Sequence, residues 1–231
     1  MRLSARLNSI LLSACMGGAA VAPVLAVLVA PAALAATPDQ QNAFLRAVQF
    51  DDPRTVRSLL TEGIDPNRVN PLSGEPALVV AVREGSMNVL QLLLANARIQ
   101  VDAPAKNGNT ALMMAAFKRN MAAAEALLAK GAAVNRAGWT PLHYAAASGD
   151  LEIGGLLLQR GAKVDPVSPK ASGSYTPLMM AAREGQEDFA KFLIEHGANR
   201  WLKNGEGLTA AQIAERADHQ SIAKLLSGAA R

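Results

Sequence analysis

The stretch Gly138-Trp139-Thr140-Pro141-Leu142-His143-Tyr144-Ala145-Ala146 decides how this chain folds. It reads as a helix start. Thr140 offers a hydroxyl to a free backbone N–H of the first turn, and Pro141 sits where a missing N–H costs nothing. Leu142 points inward. Ala145 and Ala146 let a paired helix come close, because bulkier side chains there would overpack the contact. Further on, Gly149 permits a positive φ between two helices. Leu156 and Leu157 give the second helix its apolar stripe, and Gly161 ends it in a left-handed cap.

The same pattern recurs on both sides. Gly108-Asn109-Thr110-Ala111-Leu112-Met113-Met114-Ala115-Ala116 precedes it, and Tyr175-Thr176-Pro177-Leu178-Met179-Met180-Ala181-Ala182 follows. Weaker copies run from Gly74 to Ala81 and from Gly207 to Ala214. Successive starts at Pro76, Thr110, Thr140, Thr176 and Thr209 lie 34, 30, 36 and 33 residues apart. A second signature trails each: Leu92-Leu93-Leu94, Leu127-Leu128, Leu156-Leu157-Leu158 and Phe192-Leu193-Ile194, the last three followed by Gly-Ala. Each unit is then a helix, a tight turn, a second helix and an extended loop. Such a unit cannot bury its apolar faces alone and needs neighbours.

Thr140 to Ala145 spells the Thr-Pro-Leu-His-x-Ala element, and over about residues 39–228 the chain resembles the ankyrin-repeat family. The resemblance implies an all-α solenoid of helix-turn-helix units with extended finger loops. Six units are expected, at 39–69 (degenerate), 70–106, 107–136, 137–170, 171–203 and 204–231. It also implies that His143 bridges neighbouring loops by hydrogen bonds. Polar residues suit the two outer faces: Gln40, Gln41 and Asn42 at one end, Glu215, Arg216, Asp218 and Gln220 at the other.

Some positions depart from the pattern. Arg119 stands where Gly85, Gly149 and Gly185 stand elsewhere, which predicts a strained or reshaped turn. The loop from Asn135 to Thr140 is short. The loop from Asp165 to Thr176 is long and carries Pro166, Ser168, Pro169, Ser172 and Ser174. That long finger is either a specificity element or a tolerated insertion.

Half of the 231 residues are hydrophobic but only 4% are aromatic, which favours closely packed helices over a sandwich. The formal charge of +4 falls to +2 once residues 1–35 are set aside, and no like-charge run occurs. Nucleic acid, which calls for a clustered basic face, is not an expected partner. Arg2 and Arg6, an apolar stretch from about Ile10 to Leu34, and Ala33-Leu34-Ala35 read together as a signal peptide cleaved near Ala35/Ala36. That reading places the mature protein, residues 36–231, in the periplasm or outside the cell. Two alternatives remain open. The apolar stretch is long enough to anchor in a membrane, although Pro23 and Pro31 interrupt it. Leu12-Ser13-Ala14-Cys15 resembles a bacterial lipobox. A membrane association is expected only if this segment is retained.

No constellation for catalysis stands out. Cys15 is the single cysteine, so a mature chain from Ala36 has no disulfide and no thiolate. His143, His196 and His219 fall in three units without metal-ligand spacing. Neither a G-x-S-x-G elbow nor a G-x-x-x-x-G-K-[ST] loop is present. Asp51-Asp52 precede Pro53 as helix-start residues, not as a carboxylate pair. Met113-Met114 and Met179-Met180 stand at aliphatic positions and read as core filler. The expectation is a monomeric binding protein, not an enzyme, with no cofactor and no metal.

The resemblance places partner binding on a concave face made of finger tips and first-helix ends. The finger positions are Asn109, Trp139, Tyr175 and Leu208. The helix positions are Arg83-Glu84, Phe117-Lys118, Ala147-Ser148 and Arg183-Glu184. Aromatic residues and arginine are favoured at binding hot spots. Trp139, Phe117 and Tyr175, from three consecutive units, are expected to form one patch.

Overall fold

A computed structural model describes residues 37–228; the expected signal segment lies outside them. Twelve α-helices form six pairs among these residues: α1 (Pro38–Gln49) with α2 (Pro53–Thr61), α3 (Ala77–Glu84) with α4 (Met87–Ala95), α5 (Ala111–Phe117) with α6 (Met121–Ala129), α7 (Pro141–Ser148) with α8 (Leu151–Gln159), α9 (Pro177–Arg183) with α10 (Glu187–Glu195), and α11 (Ala210–Arg216) with α12 (Gln220–Ser227). No strand occurs among the described residues; Val69 and Pro76 make an isolated bridge. The odd-numbered helices pack side by side in one layer and the even-numbered ones in a second. This is the expected all-α solenoid.

The two layers differ in the size of their side chains. Ala115, Ala116, Ala145, Ala146, Ala181 and Ala182 are all fully buried between first helices. Without bulk beyond Cβ, those helices approach closely. The second layer is filled by larger residues, among them Leu90, Leu93, Leu127, Ile153, Leu157 and Leu193. One residue pair is matched in size: a Cβ added to Gly154 would lie 2.7 Å from the Phe189 ring of the next unit. The first unit, degenerate in sequence, still buries Phe44, Val48, Val56 and Leu59.

The first helices that follow a threonine are capped, with one chemical surprise, whereas α3 follows Pro76 without a side-chain cap. Reciprocal capping boxes pair Thr37 with Gln40, Thr110 with Met113, Thr176 with Met179 and Thr209 with Gln212. In the second and third of these a methionine sulfur accepts the threonine N–H at 3.4 Å. Met113 and Met179 fill the core, but they also stand in for the motif histidine. At Thr140 the box is built around the imidazole: the Thr140 N–H donates to Nδ1 of His143 at 3.1 Å, and the hydroxyl lies 3.0 Å from the same nitrogen.

Each helix pair turns through one left-handed residue. Gly85, Gly149 and Gly185 take φ of 73–75°, and Arg119 keeps the same geometry at φ 56°. The turn is therefore strained rather than reshaped. Asp51 and Asp218 occupy the same position in the first and last units with φ 53° and 63°. Asp52 caps α2 by accepting from the Arg54 and Thr55 N–H groups, each at 3.1 Å. Asp51 instead reaches the next unit, accepting from the Val89 N–H at 2.9 Å and Asn88 Nδ2 at 2.7 Å.

Neighbouring units are tied at both ends. On the loop side, Asn67, Asp102, Asn135 and Asp165 accept from the backbone N–H of Gln100, Ala133, Lys163 and Asn199, at 2.7, 3.0, 2.9 and 2.9 Å. At the turn side, Ser86, Gln186 and His219 bond to the last carbonyls of the preceding unit's first helix: Gln49, Ala147 and Arg183. The long finger folds into this framework. Lys170–Ser172 form a short 3-10 turn, Ser168 is buried, and its hydroxyl accepts from the Tyr175 N–H at 2.8 Å. The Gly173 carbonyl accepts from the Gly205 N–H at 2.8 Å, which ties this finger to the next.

Candidate functional site

The third, fourth and fifth helix pairs together enclose a cleft of about 400 Å³. The end of α5 contributes Phe117, and the finger before α7 contributes Trp139. α7 supplies His143, Tyr144 and Ala147, and α9 supplies Met180, Arg183 and Glu184. Three aromatic rings shape it. Phe117 and Trp139 each stand edge-on to Tyr144 with centroids 6.3 Å away, at interplanar angles of 88° and 64°. Trp139 also packs on the His143 ring at 5.1 Å. Phe117 is 52% exposed and forms the open rim of this aromatic group.

Polar contacts hold these walls. The Tyr144 hydroxyl donates to Asn109 Oδ1 at 2.5 Å. Burial pushes the Tyr144 phenol above its ordinary pKa, against the effect of that hydrogen bond, so the group remains a donor. Arg183 gives both Nε and Nη2 to Glu184 Oε1, at 2.8 and 2.7 Å. Its guanidinium also lies 5.3 Å from the centre of the Tyr175 ring, a cation–π arrangement.

His143 supports the cleft from beneath. It is fully buried. Its Nδ1 accepts from the Thr140 N–H, and Nε2 lies 2.9 Å from the Tyr175 carbonyl, which can only accept. The ring is therefore the neutral Nε2–H tautomer, joining the fingers before α7 and α9 as the resemblance implied. Desolvation pushes its pKa down to about 4, outweighing the backbone hydrogen bonds that raise it. His196 is also engaged locally, its Nδ1 2.8 Å from the Phe192 carbonyl. Among the described residues no group of three His, Cys, Asp or Glu gathers where a metal could sit.

The nine expected contact residues do not share one location. Phe117, Trp139, Arg183 and Glu184 line the cleft, and Asn109 braces it through Tyr144. Lys118 is exposed beside Phe117 without lining it. Tyr175 lines a neighbouring hollow of about 200 Å³ with Leu208, Ile213, Arg216 and Ala217, and Arg183 borders both. Arg83 and Glu84 belong elsewhere. Arg83 pairs with Glu75 at 3.0 Å and Glu84 at 2.9 Å, and borders a third hollow with Asn42, Arg46 and Asn70. Thus Phe117 and Trp139 are joined through Tyr144, whereas the Tyr175 ring meets Arg183 and its carbonyl is tied to Trp139 through His143.

Tyr144 and Met180 line the cleft although the sequence did not mark them as contact residues; Met180 read as core filler. Both occupy the variable place of the Thr-Pro-Leu-His-x-Ala element, with Val80, Met114 and Ile213 in the other units. Four of those five are aliphatic or methionine, so the column reads as core. The tyrosine hydroxyl was the available signal, because a phenol in such a column must face a polar partner.

A family model described as Ankyrin repeats matches in three overlapping copies, at residues 44–137, 78–168 and 166–230. The chain belongs to the ankyrin-repeat family. Protein glp-1 of Caenorhabditis elegans is 32% identical over 204 residues, covering 81% of this chain and 15% of its own length. The human SH3 and multiple ankyrin repeat domains protein 2 is 33% identical over 176 residues, covering 74% of this chain and 9% of its own length. Human transient receptor potential cation channel subfamily A member 1 is 32% identical over 160 residues, 66% of this chain and 14% of its own length. The chain thus spans less than a sixth of the length of each of these three relatives. What it has in common with them is a protein–protein interaction module.

Proposed function

We propose that this protein is an exported, non-enzymatic binding module that captures a protein partner in the periplasm through the cleft between Phe117 and Arg183. The observation that carries the reading is the cleft: three aromatic rings, one of them half in solvent, framed by an arginine and a glutamate. Aromatic side chains and arginine dominate binding energy where a pocket can exclude water. Export rests on the basic start, the apolar run and Ala33-Leu34-Ala35. An inhibitor or immunity factor that masks a periplasmic enzyme or toxin, and a stress-related scaffold, are two forms of this role.

Affinity capture with crosslinking in the native compartment tests it. The wild-type chain is expected to recover one protein at near-stoichiometric yield, and Phe117→Ala with Trp139→Ala to lose it while the helical circular dichroism is kept. Capture unaffected by that double substitution excludes the cleft. A membrane-tethered organiser is the second reading, favoured by the apolar stretch from about Ile10 to Leu34. No helix among the described residues is long and apolar enough to cross a membrane, so tethering would depend on that stretch. Intact mass separates the two: a chain starting at Ala36 supports export and cleavage, and a retained or acylated N-terminus supports the tether.

A further inference from the structure

We propose that the cleft selects a basic side chain of its partner, an arginine or lysine, seated against the rings of Phe117, Trp139 and Tyr144 with Glu184 as its counter-charge. The inference rests on the docking role proposed above and specifies its chemistry. The argument is one of charge. Aromatic faces carry negative potential and attract cations, and the Tyr144 ring stands at 88° to Phe117 and 64° to Trp139, so the rings that line the cleft do not share one plane. The neighbouring hollow shows the same chemistry, since the Arg183 guanidinium lies 5.3 Å from the centre of the Tyr175 ring there. Both bonds from Arg183 to Glu184 end on Oε1. Oε2 takes no hydrogen bond from any described residue, so it is left to receive a second donor. An anion drawn to Arg183 would lie against the aromatic faces, which repel it. A purely apolar side chain would offer the half-exposed Glu184 carboxylate no hydrogen bond in place of the water it displaced. An arginine or lysine satisfies both walls: the stem lies on the rings and the head reaches the carboxylate.

The test uses the tryptophan in the cleft as its own reporter. Trp139 and Trp201 are the only tryptophans. Trp201 is exposed and does not line the cleft, so Trp201→Phe leaves Trp139 as the sole signal. Acetyl-Gly-Arg-Gly-amide is titrated into that protein, beside the same peptide with neutral citrulline or with aspartate in place of arginine. The expected result is a saturable change in Trp139 emission with the arginine peptide and about tenfold weaker binding of citrulline. Glu184→Gln should weaken the arginine peptide about three- to tenfold, and Phe117→Ala should weaken it while leaving Glu184 in place. Equal binding of arginine and citrulline, tighter binding of aspartate, or no saturable change overturns the inference. Two outcomes are distinguishable: if partner capture fails in the Phe117/Trp139 double variant but citrulline matches arginine, the cleft docks a partner and the choice of charge is wrong. If capture survives the double variant, the docking role itself falls.

Discussion

Arg119 shows what a single residue costs when the fold requires a backbone that its side chain resists. Its φ of 56° is the left-handed geometry that Gly149 adopts at 73°. A non-glycine residue there costs about 1–2 kcal/mol. Its return is one ion pair, to Asp150 at 3.6 Å, with the arginine side chain largely in solvent. An exposed pair of that kind contributes a few tenths of a kcal/mol, so strain wins. Arg119→Gly should raise stability by about 0.5–1 kcal/mol in urea denaturation. Gly149→Ala should lower it, because a φ of 73° is unfavourable to a residue with a Cβ; the end of the Gln186 side chain would also have to move aside. His143 gives a residue-scale prediction of a different kind. Its folded pKa of about 4 lies below the ordinary 6.5, so between those values the unfolded chain binds more protons. The stabilisation is complete above pH 6.5 and disappears as pH falls through about 4. Stability should drop by about 2–3 kcal/mol between pH 7 and pH 4.5 on this account. The comparison to make is with His143→Gln, whose drop over the same range should be smaller by that amount; equal drops would contradict the assignment.

Helix α8 is where element-scale rules compete. Gly154 lies in its interior, and by helix propensity alone Gly→Ala should stabilise by about 1 kcal/mol. The Phe189 ring of α10 occupies the space that the new Cβ needs, at 2.7 Å. Overpacking a buried contact costs about 1–3 kcal/mol, which outweighs propensity. Gly154→Ala is therefore expected to be destabilising by about 1 kcal/mol in thermal or urea unfolding, and adding Phe189→Leu should recover much of the loss. The long finger makes a related point. Its length reads as a specificity element or an insertion, but its Ser168 hydroxyl supports the Tyr175 N–H from a buried position. Ser168→Ala should cost about 1–2 kcal/mol and accelerate amide exchange at Tyr175. Exchange unchanged at that amide would remove the hydroxyl's structural role.

At the scale of the whole molecule, each helix pair is buried by its neighbours, so position along the stack decides what a cavity does. Leu142 is fully buried in a central unit, and Leu59 is buried in the first. Truncating either to alanine removes similar apolar volume, worth about 2–5 kcal/mol. In a quasi-linear array the terminal unit opens without its neighbours. Leu142→Ala should therefore lower the midpoint of the main transition, whereas Leu59→Ala should mostly raise amide exchange within α1 and α2. A common loss of protection across all twelve helices in both variants would show a single cooperative block instead.

The chain's own periodicity determined the helix pairs, their order and their stacking, because starts spaced 30–36 residues apart repeat a threonine, an inward leucine and a small pair, complete at Thr110, Thr140 and Thr176 and weakened at Pro76 and Thr209. Those are local and nearest-neighbour requirements, so they leave a mark at fixed positions in every unit. Even the turn at Arg119 was legible as a departure, though Asp51 and Asp218 were not, since aspartate before a helix reads first as a cap. The cleft was only half legible. Phe117, Trp139 and Arg183 stand at positions whose exposure follows from the repeat, but whether they meet depends on which residue fills the space between them. Tyr144 fills it, in a column that is otherwise core, and it draws Asn109 in and joins Phe117 to Trp139. Arg183, held by Glu184 and Tyr175, sets the far wall and separates the neighbouring hollow. Only the tertiary structure decided these groupings, because they are contacts, some within a unit and some between units, made by side chains that the repeat leaves free to vary.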